Sequence, residues 1–112
     1  MNAQEMEIRN GCENEIKNFP LYCEDNEFDT LHVVEHENKI VAYAQMSGEQ
    51  ISFMESAMRG AGGFLMKSLQ TEYDHLIADN VVTTAKGFYS RYGFEDTGKN
   101  YYGQPTMEWW AE

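Results

Sequence analysis

Three glycines within four residues, behind an arginine and ahead of an apolar helical pattern, form the stretch of this chain best suited to hold an anion: Arg59-Gly60-Ala61-Gly62-Gly63. Glycine lets a backbone turn tightly and approach a ligand with no Cβ in the way. Downstream, Leu65, Leu69 and Tyr73 recur at i, i+4 and i+8 with Met66 beside them, one face of a helix. Upstream, Ile51 and Phe53 alternate between Gln50 and Met54, as in a half-buried strand. A helix start carries free N–H groups and a partial positive charge. A strand, a glycine turn and a helix start together can seat a phosphate or diphosphate; the plain alternative is a turn without a ligand. The dinucleotide fingerprint would need a glycine where Leu65 stands, and the Gly-Lys-Ser/Thr ending of a P-loop is absent.

Arg59-Gly60-Ala61-Gly62-Gly63-Phe64-Leu65-Met66 resembles the acetyl-CoA diphosphate loop of the GNAT N-acetyltransferase superfamily, written Gln/Arg-x-x-Gly-x-Gly/Ala and followed by a Leu-Leu or Leu-Met pair. Gly60 and Gly62 take the glycine positions and Leu65-Met66 the pair; the opening Gln/Arg falls on Ala57, a departure. About 25 residues further on, Ala85-Lys86-Gly87-Phe88-Tyr89-Ser90-Arg91-Tyr92-Gly93-Phe94 is similar to the Ala-x-x-Phe-Tyr-x-x-x-Gly-Phe segment of that family. The resemblance covers roughly residues 31–112.

The resemblance implies a cofactor, acetyl-CoA, and a set of residues to hold it. Main-chain groups of Met54, Glu55 and Ser56 would pair with the pantetheine arm. Amides from Arg59 through Gly60, Ala61, Gly62, Gly63 and Phe64 would hold the diphosphate, each such bond worth about 1.5–3 kcal/mol. Arg59 and Lys86 are the nearest basic candidates for a phosphate, and otherwise surface charges. Tyr89 matches the position whose hydroxyl protonates the departing thiolate; with a pKa near 10 its proton is present at neutral pH. Its plain role is a core aromatic. Asn80 is a further contact to the pantetheine, although the family asparagine would fall on Val82.

An amine must lose its proton to attack a thioester. For a lysine with pKa near 10.4 this costs roughly 4.6 kcal/mol at pH 7, for an α-amine near 8 about 1.4 kcal/mol. A lysine acceptor therefore needs a base or a water chain. Related enzymes use a glutamate on this strand, which makes Glu49 and Glu55 the candidates, each otherwise a solvated carboxylate. The aligned family glutamate would fall on Gln50. His32 and His36 flank a turn and read as structural; His75 is a more distant candidate base.

The chain of 112 residues suits one domain, 1–112, and its composition, 42% hydrophobic and 24% charged, is that of a globular protein. No apolar run approaches a membrane span, and Met1 to Glu5 lacks the basic and apolar regions of a secretory signal. Cys12 and Cys23 give no disulfide framework and no metal-ligand spacing, so no metal is expected and the cysteines read as free cytosolic thiols. A net charge of −11 argues against nucleic acid and anionic membranes. Residues 1–58 hold twelve Asp/Glu and three Lys/Arg, whereas 59–99 hold five of each. The acidic half is a solvated surface, or it draws in a cationic acceptor while the more basic segment faces an anionic cofactor.

The elements needed to position these residues follow in order. Glu5–Arg9 reads as a first strand, 13–19 as a short helix ended by Pro20, and Leu21–Thr30 as an acidic loop. Strands are expected over 31–35 and 39–46 around a tight His36-Glu37-Asn38 hairpin, then from Gln50 to about Ser56. The helix after the glycines runs to about Tyr73, with His75–Ala78 a strand. Thr83 or Thr84 would cap a second helix that Gly93 terminates. Glu95–Tyr102 and Thr106–Trp110 close the chain as strands. Of Tyr101, Tyr102, Trp109 and Trp110, an exposed pair would mark an acceptor wall or a homodimer surface.

The resulting expectation is an α/β fold: a mixed, mostly antiparallel central sheet with helices on both faces, the acyl-CoA N-acyltransferase fold. The expected activity is cytoplasmic transfer of acetyl from acetyl-CoA to an amine by direct attack, the acceptor being a protein lysine or N-terminus. The alternatives are a small-molecule amine acceptor and a non-catalytic acidic protein that occupies a basic partner.

Overall fold

The β-branched and aromatic runs of this sequence pair into one sheet. The computed structural model describes residues 6–79, 81–101 and 104–112. Its elements are β1 (Glu7–Asn10), β2 (Thr30–His36), β3 (Lys39–Ser47), β4 (Gln50–Ser56), α1 (Ala61–Glu72), β5 (His75–Ala78), α2 (Thr83–Arg91), β6 (Glu95–Tyr101) and β7 (Gln104–Trp110). The seven strands lie in the order β1-β2-β3-β4-β5-β7-β6. Neighbours are antiparallel except β4 and β5, which are parallel and joined through α1. Glu37 and Asn38, with φ of 51° and 67°, form the two-residue turn between β2 and β3. Two positive φ values give a hairpin the twist its strands require.

Alternation along the strands divides the core in two. Val34, Ala42, Ala44 and Met46 face Leu65, Met66 and Leu69 of α1, and Phe88 and Tyr89 of α2, with Tyr92 at its C-cap, pack against the same cluster. Val33 and Tyr43, one residue out of phase, join Ile16 and Leu31 in a second cluster with Phe19, Tyr22, Phe28 and Phe53 around it.

This architecture overturns the expected acyl-CoA N-acyltransferase fold with helices on both faces. The described chain has seven strands and only two α-helices, where that fold would carry more. Among the described residues, the segment between β1 and β2 holds no α-helix. The helix expected over 13–19 is a single 3₁₀ turn, Glu13–Glu15. Pro20 disfavours helical backbone at Phe19. Glu15 is held from both sides, by the Cys12 amide at 2.9 Å and by Arg9 at 2.6 Å, and Arg9 also reaches Glu35 at 3.1 Å. The turn is thus fastened to the sheet edge, and Ile16, Phe19, Tyr22 and Phe28 cover the second cluster from irregular chain.

Smaller differences have local causes. Val82, not a threonine, occupies the N-cap of α2, and Thr83 is its first residue. β7 starts at Gln104 because the hairpin with β6 continues through Pro105, which stands opposite Asn100, beyond the part of β7 that pairs with β5.

Candidate functional site

The turn from β4 into α1 leaves the helix start open. Gly60 sits at φ 90°, in the left-handed region, where a side chain would be strained. It caps α1 without any side-chain hydrogen bond. The Ala61 amide donates to Met58 O at 3.1 Å and the Phe64 amide to Gly60 O at 3.1 Å. The amides of Gly62 and Gly63 lie in the first turn, ahead of the reach of the helical ladder. Gly62 packs closely: a Cβ there would stand 3.4 Å from Ser56 Cβ and 3.7 Å from Phe88 Cε1.

A cleft of about 920 Å³ opens over this turn. Its floor is the chain from Ser56 to Gly60 and the first turn of α1; Phe64, Phe88 and Tyr92 supply aromatic walls. Arg59, Lys67 and Arg91 line it, and among the described residues no carboxylate does. A cationic cleft on a chain of net charge −11 is a local inversion of sign, suited to an anion.

The strand that leads into the cleft has an unpaired side. β4 meets β5 at only two positions, Gln50 opposite Ile77 and Ile51 opposite Ala78. From Phe53 to Ser56 it pairs with β3, and among the described residues no strand lies on its other side. Main-chain groups directed to that side can accept an extended amide-bearing ligand as a further strand.

The cleft gathers Ser56, Arg59, Gly60, Gly62, Gly63 and Phe64 of the residues the sequence predicts. Met54 packs on the first core cluster and Ala61 is buried in it, so both offer only main chain. Ser56 Oγ donates to Met58 O at 2.8 Å and holds the turn. Lys86 is not part of the lining: it pairs with Asp96 at 3.4 Å. Asn80 and Tyr102 lie outside the described residues, as does the Tyr101 side chain.

The candidate catalytic groups are dispersed. Tyr89 is wedged between Phe88 and Phe94, with ring centroids 5.5 and 5.2 Å away, and is not in the cleft lining. Burial pushes its hydroxyl up to about 12. Glu55 accepts hydrogen bonds from Tyr43 Oη at 2.8 Å and the Leu21 amide at 3.2 Å, which places it with the second core cluster. Burial, and then Glu55, hold the Tyr43 hydroxyl well above its ordinary value. Glu49, at the opposite end of β4 from the glycines, lies 3.0 Å from His75 Nδ1, and Glu108 lies 2.7 Å from His75 Nε2. These carboxylates, Glu108 first, raise the His75 pKa. His32 is buried, 3.4 Å from Tyr73 Oη, and burial lowers its pKa. His36 pairs with Glu37 at 3.0 Å.

Lys67, Arg91 and Tyr92 belong to the cleft and were not among the sequence candidates. Helical spacing carries the signal for them: Lys67 is four residues beyond Gly63, and Arg91 and the C-cap residue Tyr92 follow Phe88 of α2 by three and four.

Compared with protein-family models and with curated proteins, the chain has no match. Among the described residues, no helix is long and apolar enough to cross a membrane.

Proposed function

We propose that the protein is a cytoplasmic acetyltransferase that binds acetyl-CoA in the glycine-turn cleft and transfers the acetyl group to an amine of a protein, a lysine or an N-terminus. The observation that carries this reading is the meeting of the open side of β4 with a cationic helix start. An acyl-CoA has the matching parts: an amide-bearing arm for the strand and a diphosphate for the turn. The residues fit such a group, since Gly60 has open space where a Cβ would stand and the first-turn amides have no side-chain cap.

Bound acetyl-CoA supplies a thioester carbon that an uncharged amine attacks, forming C–N as C–S breaks. In this division of labour, the Gly62 and Gly63 amides with Arg59, Lys67 and Arg91 balance the phosphate charge. The open side of β4 aligns the arm. Glu55 lies outside the cleft lining, on the Tyr43 side of that strand, so the proton the amine must lose reaches it through water. Tyr89 lies outside the cleft lining, so the departing sulfur takes its proton from water.

A second reading is favoured by the state of the carboxylates. Glu49 and Glu55 are both already hydrogen-bonded, so neither stands free as a base, and in this reading the acidic half occupies a basic partner without catalysis. Thermal unfolding with and without acetyl-CoA separates the two. A rise in Tm at millimolar acetyl-CoA, lost in Arg59→Ala, supports the transferase. No rise at saturation overturns it and leaves the binding reading. Mass spectrometry of a lysate incubated with the protein and labelled acetyl-CoA then identifies the acceptor.

A further inference from the structure

A second cavity, of about 480 Å³, lies where β6 begins and β7 ends. It is lined by Gly93, Glu95, Glu108, Trp109, Trp110 and Glu112. Three carboxylates and two indoles meet there, and among the described residues no lysine or arginine joins the lining. Its charge is therefore the reverse of the glycine-turn cleft.

The aromatic walls are held in place. Trp110, 58% exposed, stacks on the His75 ring with centroids 4.6 Å apart and planes 18° from parallel. His75 is itself fixed between Glu49 and Glu108. Trp109 packs on the core behind it. Gly93 lets that indole approach the chain: a Cβ at Gly93 would stand 3.3 Å from Trp109 Cδ1. A large indole kept exposed and oriented beside carboxylates is a surface made for a cation.

We propose that this cavity binds the guanidinium of an arginine side chain presented by a partner peptide. A guanidinium is flat and weakly hydrated, so it can lie on an indole face while its N–H groups fork onto a carboxylate. A lysine ammonium is strongly hydrated and lacks the plane. The field of a chain at −11 draws such a cation in. The site shares no residue with the acetyl-CoA cleft, and it stands whether or not the protein transfers acetyl groups.

The test is a titration of the full chain with N-acetyl-L-arginine amide at constant ionic strength, followed by tryptophan fluorescence and by amide NMR shifts. Saturable binding is expected, with the largest shifts at Glu108–Trp110. The neutral isostere N-acetyl-L-citrulline amide should bind at least tenfold more weakly, and the lysine analogue at least threefold. Trp110→Ala and Glu108→Gln should each weaken binding at least fivefold, with folding checked by circular dichroism. Arg59→Ala should leave it unchanged. Equal binding of citrulline or lysine, undiminished binding by both folded variants, or no saturation overturns the assignment.

Discussion

Tyr92 lays its hydroxyl over Gly63, in the space a Cβ at that position would occupy. The Gly62-Gly63 pair of the loop thus serves the packing of α2 on α1. Tyr92 is held from its other side as well, since its main-chain carbonyl accepts a hydrogen bond from Gln70 Nε2 at 2.7 Å.

Gly63→Ala should therefore destabilise the fold. The overpacking cost is about 1–3 kcal/mol, against a gain of roughly 0.5–1 kcal/mol for alanine over glycine in a helix. In a Tyr92→Phe background the obstruction is gone, and the same substitution should be neutral or stabilising. Urea unfolding of the four proteins in this cycle measures the coupling. Equal effects in both backgrounds would refute the contact.

The three cleft cations should carry much of the affinity for coenzyme A. Removing one charge-assisted contact of about 1.5–3 kcal/mol corresponds to a loss of tenfold or more. Calorimetric titration of Arg59→Ala, Lys67→Ala and Arg91→Ala should show losses of this order, and binding should weaken with salt. Lys86→Ala, which removes only a partner of Asp96, should bind as the parent does.

The two glutamates of the β4 region should separate in kinetics. Glu55→Gln should lower kcat/KM for acetyl transfer about 100-fold, within the range of general-base catalysis, and leave coenzyme A affinity unchanged. Glu49→Gln should leave the rate unchanged, because Glu49 lies at the opposite end of β4 from the glycines, beside His75. Full activity of Glu55→Gln in a thiol-release assay would remove the base from the mechanism.

His75 should titrate above its ordinary value of about 6.5, as seen in the ring resonances by NMR. Glu108→Gln should lower its midpoint more than Glu49→Gln does, since Glu108 is the larger cause. A raised folded pKa means the contribution to stability is fully present below about pH 6.5 and is lost as pH rises through the folded value.

His32 should behave in the opposite sense. Burial lowers its folded pKa, so the unfolded chain takes up a proton first as pH falls. Its neutral form is the one the fold holds, and stability should fall as pH drops below about 6.5. Thermal unfolding at pH 7 and pH 5 should show a smaller acid loss in His32→Gln than in the parent.

The strands and the glycine turn were readable because their signals are local. The Glu37-Asn38 turn and the β4-to-α1 glycines each depend on neighbouring residues, whereas a register shift in the β3–β4 pairing sends Ile51 and Phe53, which alternate in the sequence, to different core clusters. The failures depend on distant ones. Nothing near Lys86 in sequence announces Asp96 as its partner, and nothing near Glu49 announces His75. Arg91 reaches the cleft only because α2 lies against α1. The short helix expected over 13–19 has the right apolar spacing, but Arg9, Glu15 and Pro20 together favour a single turn.

The second core cluster is roofed by irregular chain, with one 3₁₀ turn where a helix would supply a continuous ladder of its own. Such a roof can lift away without melting the sheet beneath, because few main-chain bonds break when it does. Hydrogen–deuterium exchange should accordingly be fastest across residues 17–28 and slowest in β3. Tyr43 and Glu55 would be uncovered by that subglobal opening, since the Leu21 amide that bonds Glu55 belongs to the roof.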